Sequence, residues 1–194
     1  MNSLKFFETS LKTDAKWVLF TEELKAHETE VLRKILKLQK REFSFLEIKS
    51  DGPSADLEAA FTSLDFFSPA KVFYIHVSSF SKWSALAEKR WARIKELSDA
   101  QGNWLFVSAD KAKSLSDAPL VIDNSIESSS AESWISFFNK FIEADLDQKR
   151  LGFILTQVPD SYLDYMHWIQ LWKLGGDDWA AHALAWERKP VPLV

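Results

Sequence analysis

The chain has 194 residues, 46% hydrophobic and 27% charged, which fits a globular protein of one domain, or one domain with a small appendage. Its formal net charge of −4, from 24 basic and 28 acidic side chains, speaks against a dedicated nucleic-acid binder and leaves room only for a local basic patch. With no cysteine there is no disulfide framework, no thiolate zinc site and no cysteine nucleophile, and a reducing cytoplasmic compartment is expected.

Residues 1–12 contain no apolar run of signal-peptide length, and no stretch of about eighteen apolar residues exists to span a membrane. Nine Trp and fifteen Phe against three Tyr predict an aromatic core, with any exposed ring a candidate contact. The first strand is Lys16-Trp-Val-Leu-Phe20, a short apolar run. A helix over 22–40 follows, with Leu24, His27, Val31, Ile35 and Leu38 on one face. Residues 43–48 form the second strand, and Asp51-Gly-Pro-Ser54 is turn chemistry. A helix from Asp56 to Asp65 places Leu57, Ala60, Phe61 and Leu64 inward, and Pro69 closes that stretch. The third strand, 71–77, is the most apolar. A helix over 81–100 turns Leu86, Trp91, Ile94 and Leu97 inward and stops at Gly102. Strands at 103–107 and 119–123 complete the alternation.

Strands alternating with helices predict an α/β domain over 1–124, with a mainly parallel sheet flanked by helices on both faces. Residues 125–194 carry no strand signal and form a small all-helical unit. Its helices are expected at 130–144, 146–157, 161–174 and 177–188, with a capping box at Ser129-Ser-Ala-Glu132 and breaks at Pro159 and Gly175-Gly176.

The chemistry of catalysis is largely missing. After the first strand, Thr21-Glu-Glu-Leu-Lys-Ala-His-Glu28 has no glycine to bring amides to a phosphate, and its three acids repel one. The third strand ends Tyr74-Ile-His-Val77 without paired acids for magnesium, so no ATPase activity and no cofactor are expected. His27 beside Glu28, and Asp178 four residues before His182, are the nearest approaches to metal ligands. Two ligands make a poor site, so these, His76 and His167 are read as ordinary histidines and no metal is assigned. Asp177-Asp178 is read as a solvated helix N-terminus. No serine lies in a nucleophile-elbow motif, and no catalytic residue is assigned.

Phe66 and Phe67 are adjacent, so both cannot point along one inward direction. Either one of them is presented at a surface loop, or both pack beneath the following strand.

The order of elements and this pair together resemble the delta subunit of the bacterial DNA polymerase III clamp loader. The likeness runs over roughly residues 15–123. Trp17-Val-Leu-Phe-Thr-Glu-Glu23 is similar to that family's first strand and acid-containing turn. Asp56-Leu-Glu-Ala-Ala-Phe-Thr-Ser-Leu-Asp-Phe-Phe-Ser68, followed by Lys71-Val-Phe-Tyr-Ile75, is similar to its aspartate-led helix, Leu-Phe pair and next strand. The resemblance implies a degenerate P-loop NTPase or AAA+-like domain without a phosphate loop. It implies that Phe66 and Phe67 plug a pocket on the sliding clamp, the beta subunit, with Thr62, Leu64 and Asp65 beside them. Other clamp-loader subunits are further implied partners, whereas direct DNA contact is not expected. Phe66 stands where the family has Leu, and the tail from Leu163 to Trp186 matches no second-domain pattern of the family.

A different reading is a non-enzymatic interaction domain using a Trp-rich helical face of Trp168, Trp172, Trp179 and Trp186. The plainer role for that stripe is to dock the helices onto the sheet. An enzyme of another type is the third reading, disfavoured because no convergent polar cluster stands out.

Overall fold

The computed structural model describes residues 1–9, 17–48, 52–62, 71–77, 83–109, 120–125, 129–157 and 161–187. Two compact units divide the chain, Met1–Ser128 and Ser129–Val194.

In the first unit the elements run α1 (Ser3–Glu8), β1 (Trp17–Phe20), α2 (Ala26–Leu38), β2 (Glu42–Ile48), α3 (Ala55–Thr62), β3 (Lys71–Val77), α4 (Ala85–Ala100), β4 (Trp104–Ala109) and β5 (Val121–Ile122). The five strands form one sheet in the order β2-β3-β4-β1-β5, and every neighbouring pair is parallel. The fold is therefore α/β, with a parallel sheet flanked by helices. Alternation along the strands sends Leu19, Phe73, Ile75, Val77, Leu105 and Val107 to one face, where Phe61 of α3 and Trp91 and Ile94 of α4 cover them. On the other face Phe20 and Phe106 meet Phe6 of α1 edge-on, with ring centroids 6.1 and 6.0 Å apart.

The first helix is not evident from periodicity, because six residues hold fewer than two turns. It is held by Asn2, whose Oδ1 accepts from the Lys5 amide at 2.9 Å, and by a parallel bridge from Asn2 to Asp123. Three other expectations need correction. The helix α2 starts at Ala26 rather than at residue 22. Residues 21–25 form a loop whose amides at Glu22 and Leu24 donate to the side chains of Asn124 and Tyr74. Leu38 is 77% exposed, because the buried stripe runs through His27, Glu28, Val31, Leu32, Ile35 and Leu36 and leaves the last residue outside it. Leu86 is 56% exposed, and Ala87 takes the inward position instead. The cause is Gly52 at φ +95°, where an added Cβ would lie 2.7 Å from the Ala87 Cβ. Only a small residue at 87 lets the first turn of α4 close on that glycine.

The second unit holds α5 (Ala131–Ile142), α6 (Gln148–Gln157) and α7 (Tyr162–Glu187). Its core joins Trp134, Ile135, Phe137 and Phe138 to Leu151, Ile154, Tyr165, Met166 and Ile169. The cap of α5 is Ser130, whose hydroxyl oxygen accepts from the Ser133 amide at 3.3 Å, so the helix is capped one residue later than the expected Ser129 and Glu132 does not take the third helical position of a capping box. Gly176, at φ 64° and ψ −165°, kinks α7 where the glycine pair predicts a break. Asp177 is not simply solvated. Its carboxylate accepts two 2.7 Å bonds from Arg150 and a 2.8 Å bond from the Trp172 indole N–H, which together hold its pKa down to about 2. Trp168 and Trp172 are half-buried, while Trp179 and Trp186 carry side chains outside the described set.

Phe6 is fully buried between two strands, so Phe6→Ala should lower the free energy of unfolding by about 3 to 5 kcal/mol. Urea denaturation read by circular dichroism measures it. A loss below about 1 kcal/mol would mean that α1 is not an integral part of this core.

Candidate functional site at the two edges of the sheet

Ligands of open parallel sheets collect outside the carboxyl ends of the strands, where helix N-termini point. In this chain that position is the loop Thr21–Lys25, between β1 and α2. Of its five backbone amides, those of Thr21, Glu22, Leu24 and Lys25 are engaged. Thr21 N donates to Ile122 O at 3.0 Å, Glu22 N to Asn124 Oδ1 at 2.8 Å, Leu24 N to the Tyr74 hydroxyl at 2.9 Å, and Lys25 N to Glu28 Oε2 at 3.0 Å.

Asn124, just past β5, is the hub. Its Nδ2 donates to Glu22 O at 3.1 Å and lies 3.3 Å from both Glu23 O and Glu28 Oε2, while its own carbonyl accepts from Lys25 Nζ at 2.8 Å. Glu28 is 1% exposed and sits in the first turn of α2. Burial pushes its pKa up, and hydrogen bonds from Ser3, the Lys25 amide and Asn124 pull against that shift. A carboxylate with these donors, at a helix N-terminus beyond a strand end, stands where a phosphate would otherwise be received. Alongside it, the Tyr74 hydroxyl meets Ser108 Oγ at 2.6 Å, and His76 Nδ1 meets the same oxygen at 3.0 Å. Ser108 is fully buried and shares its hydroxyl with both, an arrangement that fastens β3 to β4 and does not present a nucleophile. Among the described residues no three His, Asp or Glu side chains gather to hold a metal ion.

At the opposite, amino edge lies Thr62, one of the residues singled out for partner binding. Thr62 is the last residue of α3, exposed, with its hydroxyl donating to Ala59 O at 2.8 Å. Leu64, Asp65, Phe66 and Phe67 lie outside the described residues. The two ends that bracket them are tied together. Gln101 Nε2 donates to Phe61 O at 3.1 Å, Asn103 Nδ2 to Gln101 Oε1 at 2.9 Å, and the Lys71 amide to Asn103 Oδ1 at 2.8 Å. The end of α3 and the start of β3 are thereby pinned to one relay from the α4–β4 turn.

Sequence reasoning found neither Asn124 nor Gln101–Asn103. Their partners lie about a hundred and about forty residues away in the chain, beyond any local pattern. Lys25 and Glu28 do have the spacing of a capping box, but lysine is no N-cap residue, so nothing marked the carboxylate as buried.

His27, 5% exposed next to Glu28, has its pKa lowered to about 4, first by burial and then by the Lys25 charge. Its neutral form is the folded one, so its contribution is intact above the unfolded pKa of about 6.5 and is lost as pH falls toward 4. Glu28 acts in the opposite sense, because acidification relieves a buried charge. His27→Gln should therefore make the change in unfolding free energy from about pH 7 to about pH 4.5 more favourable by about 2 kcal/mol relative to wild type. Urea melts at the two pH values test this. Identical pH slopes would show that His27 is not buried neutral.

No protein-family profile matches the chain, and no curated protein is significantly similar. Among solved structures the chain is similar to the replication initiator DnaA bound to AMPPCP and single-stranded DNA, with a TM-score of 0.45 and 10% sequence identity. The alignment takes in 95% of this chain and 64% of that one, so the chain spans less than two thirds of the neighbour's length. At that identity and score the likeness carries no functional argument.

Proposed function

We propose that the chain is a non-catalytic, clamp-loader delta-like protein of DNA replication, which binds the polymerase sliding clamp through an aromatic plug at Phe66 and Phe67. The observation that supports this is the pinning of both ends of the plug segment, by Gln101 to the Phe61 carbonyl and by Asn103 to the Lys71 amide. A loop whose ends are fixed loses less freedom when it docks, and an aromatic anchor filling a desolvated pocket supplies a few kcal/mol. Thr62, Leu64 and Asp65 flank the anchor. The absence of catalysis is supported by the occupied amides of residues 22, 24 and 25, which have no donor to spare for a phosphate.

Binding becomes work on the clamp only through differential affinity. If the plug fits the opened ring better than the closed one, the equilibrium shifts by the ratio of the two affinities and no covalent step is needed. Other clamp-loader subunits are the further partners of this reading, and no nucleotide or metal cofactor is required of this chain.

The experiment is surface plasmon resonance of the purified chain against the sliding clamp of its own source, beside a Phe66→Ala/Phe67→Ala variant whose circular dichroism shows it folded. A micromolar or tighter Kd in wild type, weakened at least thirtyfold in the variant, is expected, the equivalent of about 2 kcal/mol for a lost anchor. No binding by the folded wild type would overturn the reading and turn attention to the Trp-rich helices of the second unit.

A further inference from the structure

A chain of hydroxyls runs beneath the loop after β1, and the clamp reading does not use it. Leu24 N lies 2.9 Å from the Tyr74 hydroxyl, that hydroxyl 2.6 Å from Ser108 Oγ, and Ser108 Oγ 3.0 Å from His76 Nδ1. Ser108 is fully buried and pairs directly across β3 and β4 with His76. Tyr74 is 1% exposed and His76 is half-buried. Both alternate along β3 with the residues that face α3 and α4, so they lie on the face of the sheet toward the loop 21–25.

The hydrogen bonds have a direction. A backbone N–H can only donate, so the Tyr74 oxygen accepts from Leu24. The phenol hydrogen is thereby sent to Ser108 Oγ. Ser108 accepts it and sends its own hydrogen to its remaining partner, His76 Nδ1. Nδ1 is then an acceptor, which assigns the imidazole its neutral Nε2–H form. In this direction each hydroxyl receives one hydrogen bond and gives one, which satisfies a buried polar set.

We infer that this relay is a proton-operated latch on the loop 21–25, held shut by neutral His76 and released when Nδ1 takes a proton. An imidazolium donates from both nitrogens, so Nδ1 would turn its hydrogen on Ser108 Oγ. Ser108 must then give its hydrogen to Tyr74, and the phenol hydrogen is turned off Ser108 toward the Leu24 N–H. Two donors cannot share that position, and the amide is displaced. The charged and titratable groups toward the relay are Glu22, Glu23 and Lys25 of the loop and His27 and Glu28 of α2, while β4 brings none. Glu47 of β2 stands opposite His76 in register, with its side chain outside the described residues. Burial, and then the charges of Glu23 and Glu28, raise the Tyr74 pKa, so the phenol keeps its hydrogen. His27, lowered to about 4, stays neutral at mildly acidic pH, and Glu28 is reported separately by the Lys25 amide bonded to it.

The test is NMR of the full chain at about pH 8 and about pH 5.5, a span across which an imidazole ordinarily gains its proton. At the higher pH the ring nitrogen shifts of His76 should show hydrogen on Nε2 and none on Nδ1. Protection of the Leu24 amide, corrected for the pH dependence of intrinsic exchange, should fall at least about tenfold at the lower pH while that of Lys25 holds. His76→Asn keeps an acceptor near the Nδ1 position and takes no proton, so its Leu24 protection should not change with pH. Tyr74→Phe keeps the ring and removes the latch, so Leu24 should exchange fast at both pH values. Hydrogen on Nδ1 at the higher pH would overturn the inference. So would pH-independent Leu24 protection in wild type, an equal fall in His76→Asn, or slow exchange in Tyr74→Phe. Joint opening of Leu24 and Lys25 would also overturn it, by assigning the change to Glu28. None of these outcomes depends on Phe66 or Phe67, so the latch and the clamp reading stand or fall separately.

Discussion

The first unit depends on one side chain, the amide of Asn124. It links the end of β5 to the loop after β1 and to the first turn of α2, accepting from the Glu22 amide and donating to backbone carbonyls and the Glu28 carboxylate. A buried amide that uses both its oxygen and its nitrogen is expensive to replace, because removing it strands several partners at once. The loop it secures is the stretch of backbone that a nucleotide-binding domain would leave free. Here the same geometry, a helix N-terminus beyond a parallel strand, is filled from within by a carboxylate.

That substitution explains several otherwise separate features. Glutamates at 22, 23 and 28 look hostile to phosphate in the sequence, and the structure shows why one of them is tolerated at almost no exposure. Glu28 receives a backbone amide, the Asn124 amide and Ser3, and the Ser3 bond engages α1. His27 beside it stays neutral. The carboxyl edge is thereby filled by the protein's own side chains, and Thr62, the described member of the proposed partner-binding set, ends α3 at the amino edge.

The sheet was legible because its strands are short apolar runs between turn signals, and each of them falls within a residue or two of its expected place. Helix faces were legible where bulky residues recur, as at Trp91 and Ile94, and failed where a close approach decides the packing. Ala87 displaces Leu86 because Gly52 lies against it, a contact between residues 35 apart that no periodicity reports. The Arg150 partner of Asp177 was illegible for the same reason, since it reaches the exposed carboxylate from another helix. The polar relays were illegible altogether. Asn124, Tyr74, Ser108, Gln101 and Asn103 are unremarkable in sequence and acquire their roles only from partners brought together by the sheet. Of the expected partner-binding residues, Thr62 is described, as the last residue of α3, whereas the helix was expected to run on to Asp65.

The claim on which the rest turns is that the amides of Glu22, Leu24 and Lys25, beyond β1, are occupied by the protein itself. Amide hydrogen exchange followed by NMR, at Glu22, Leu24 and Lys25, with and without millimolar magnesium nucleotide, measures this directly. All three amides should exchange slowly, and their shifts and rates should not respond to nucleotide. Fast exchange at these positions, or saturable shifts on adding nucleotide, would contradict it and return the carboxyl edge to consideration as a ligand site.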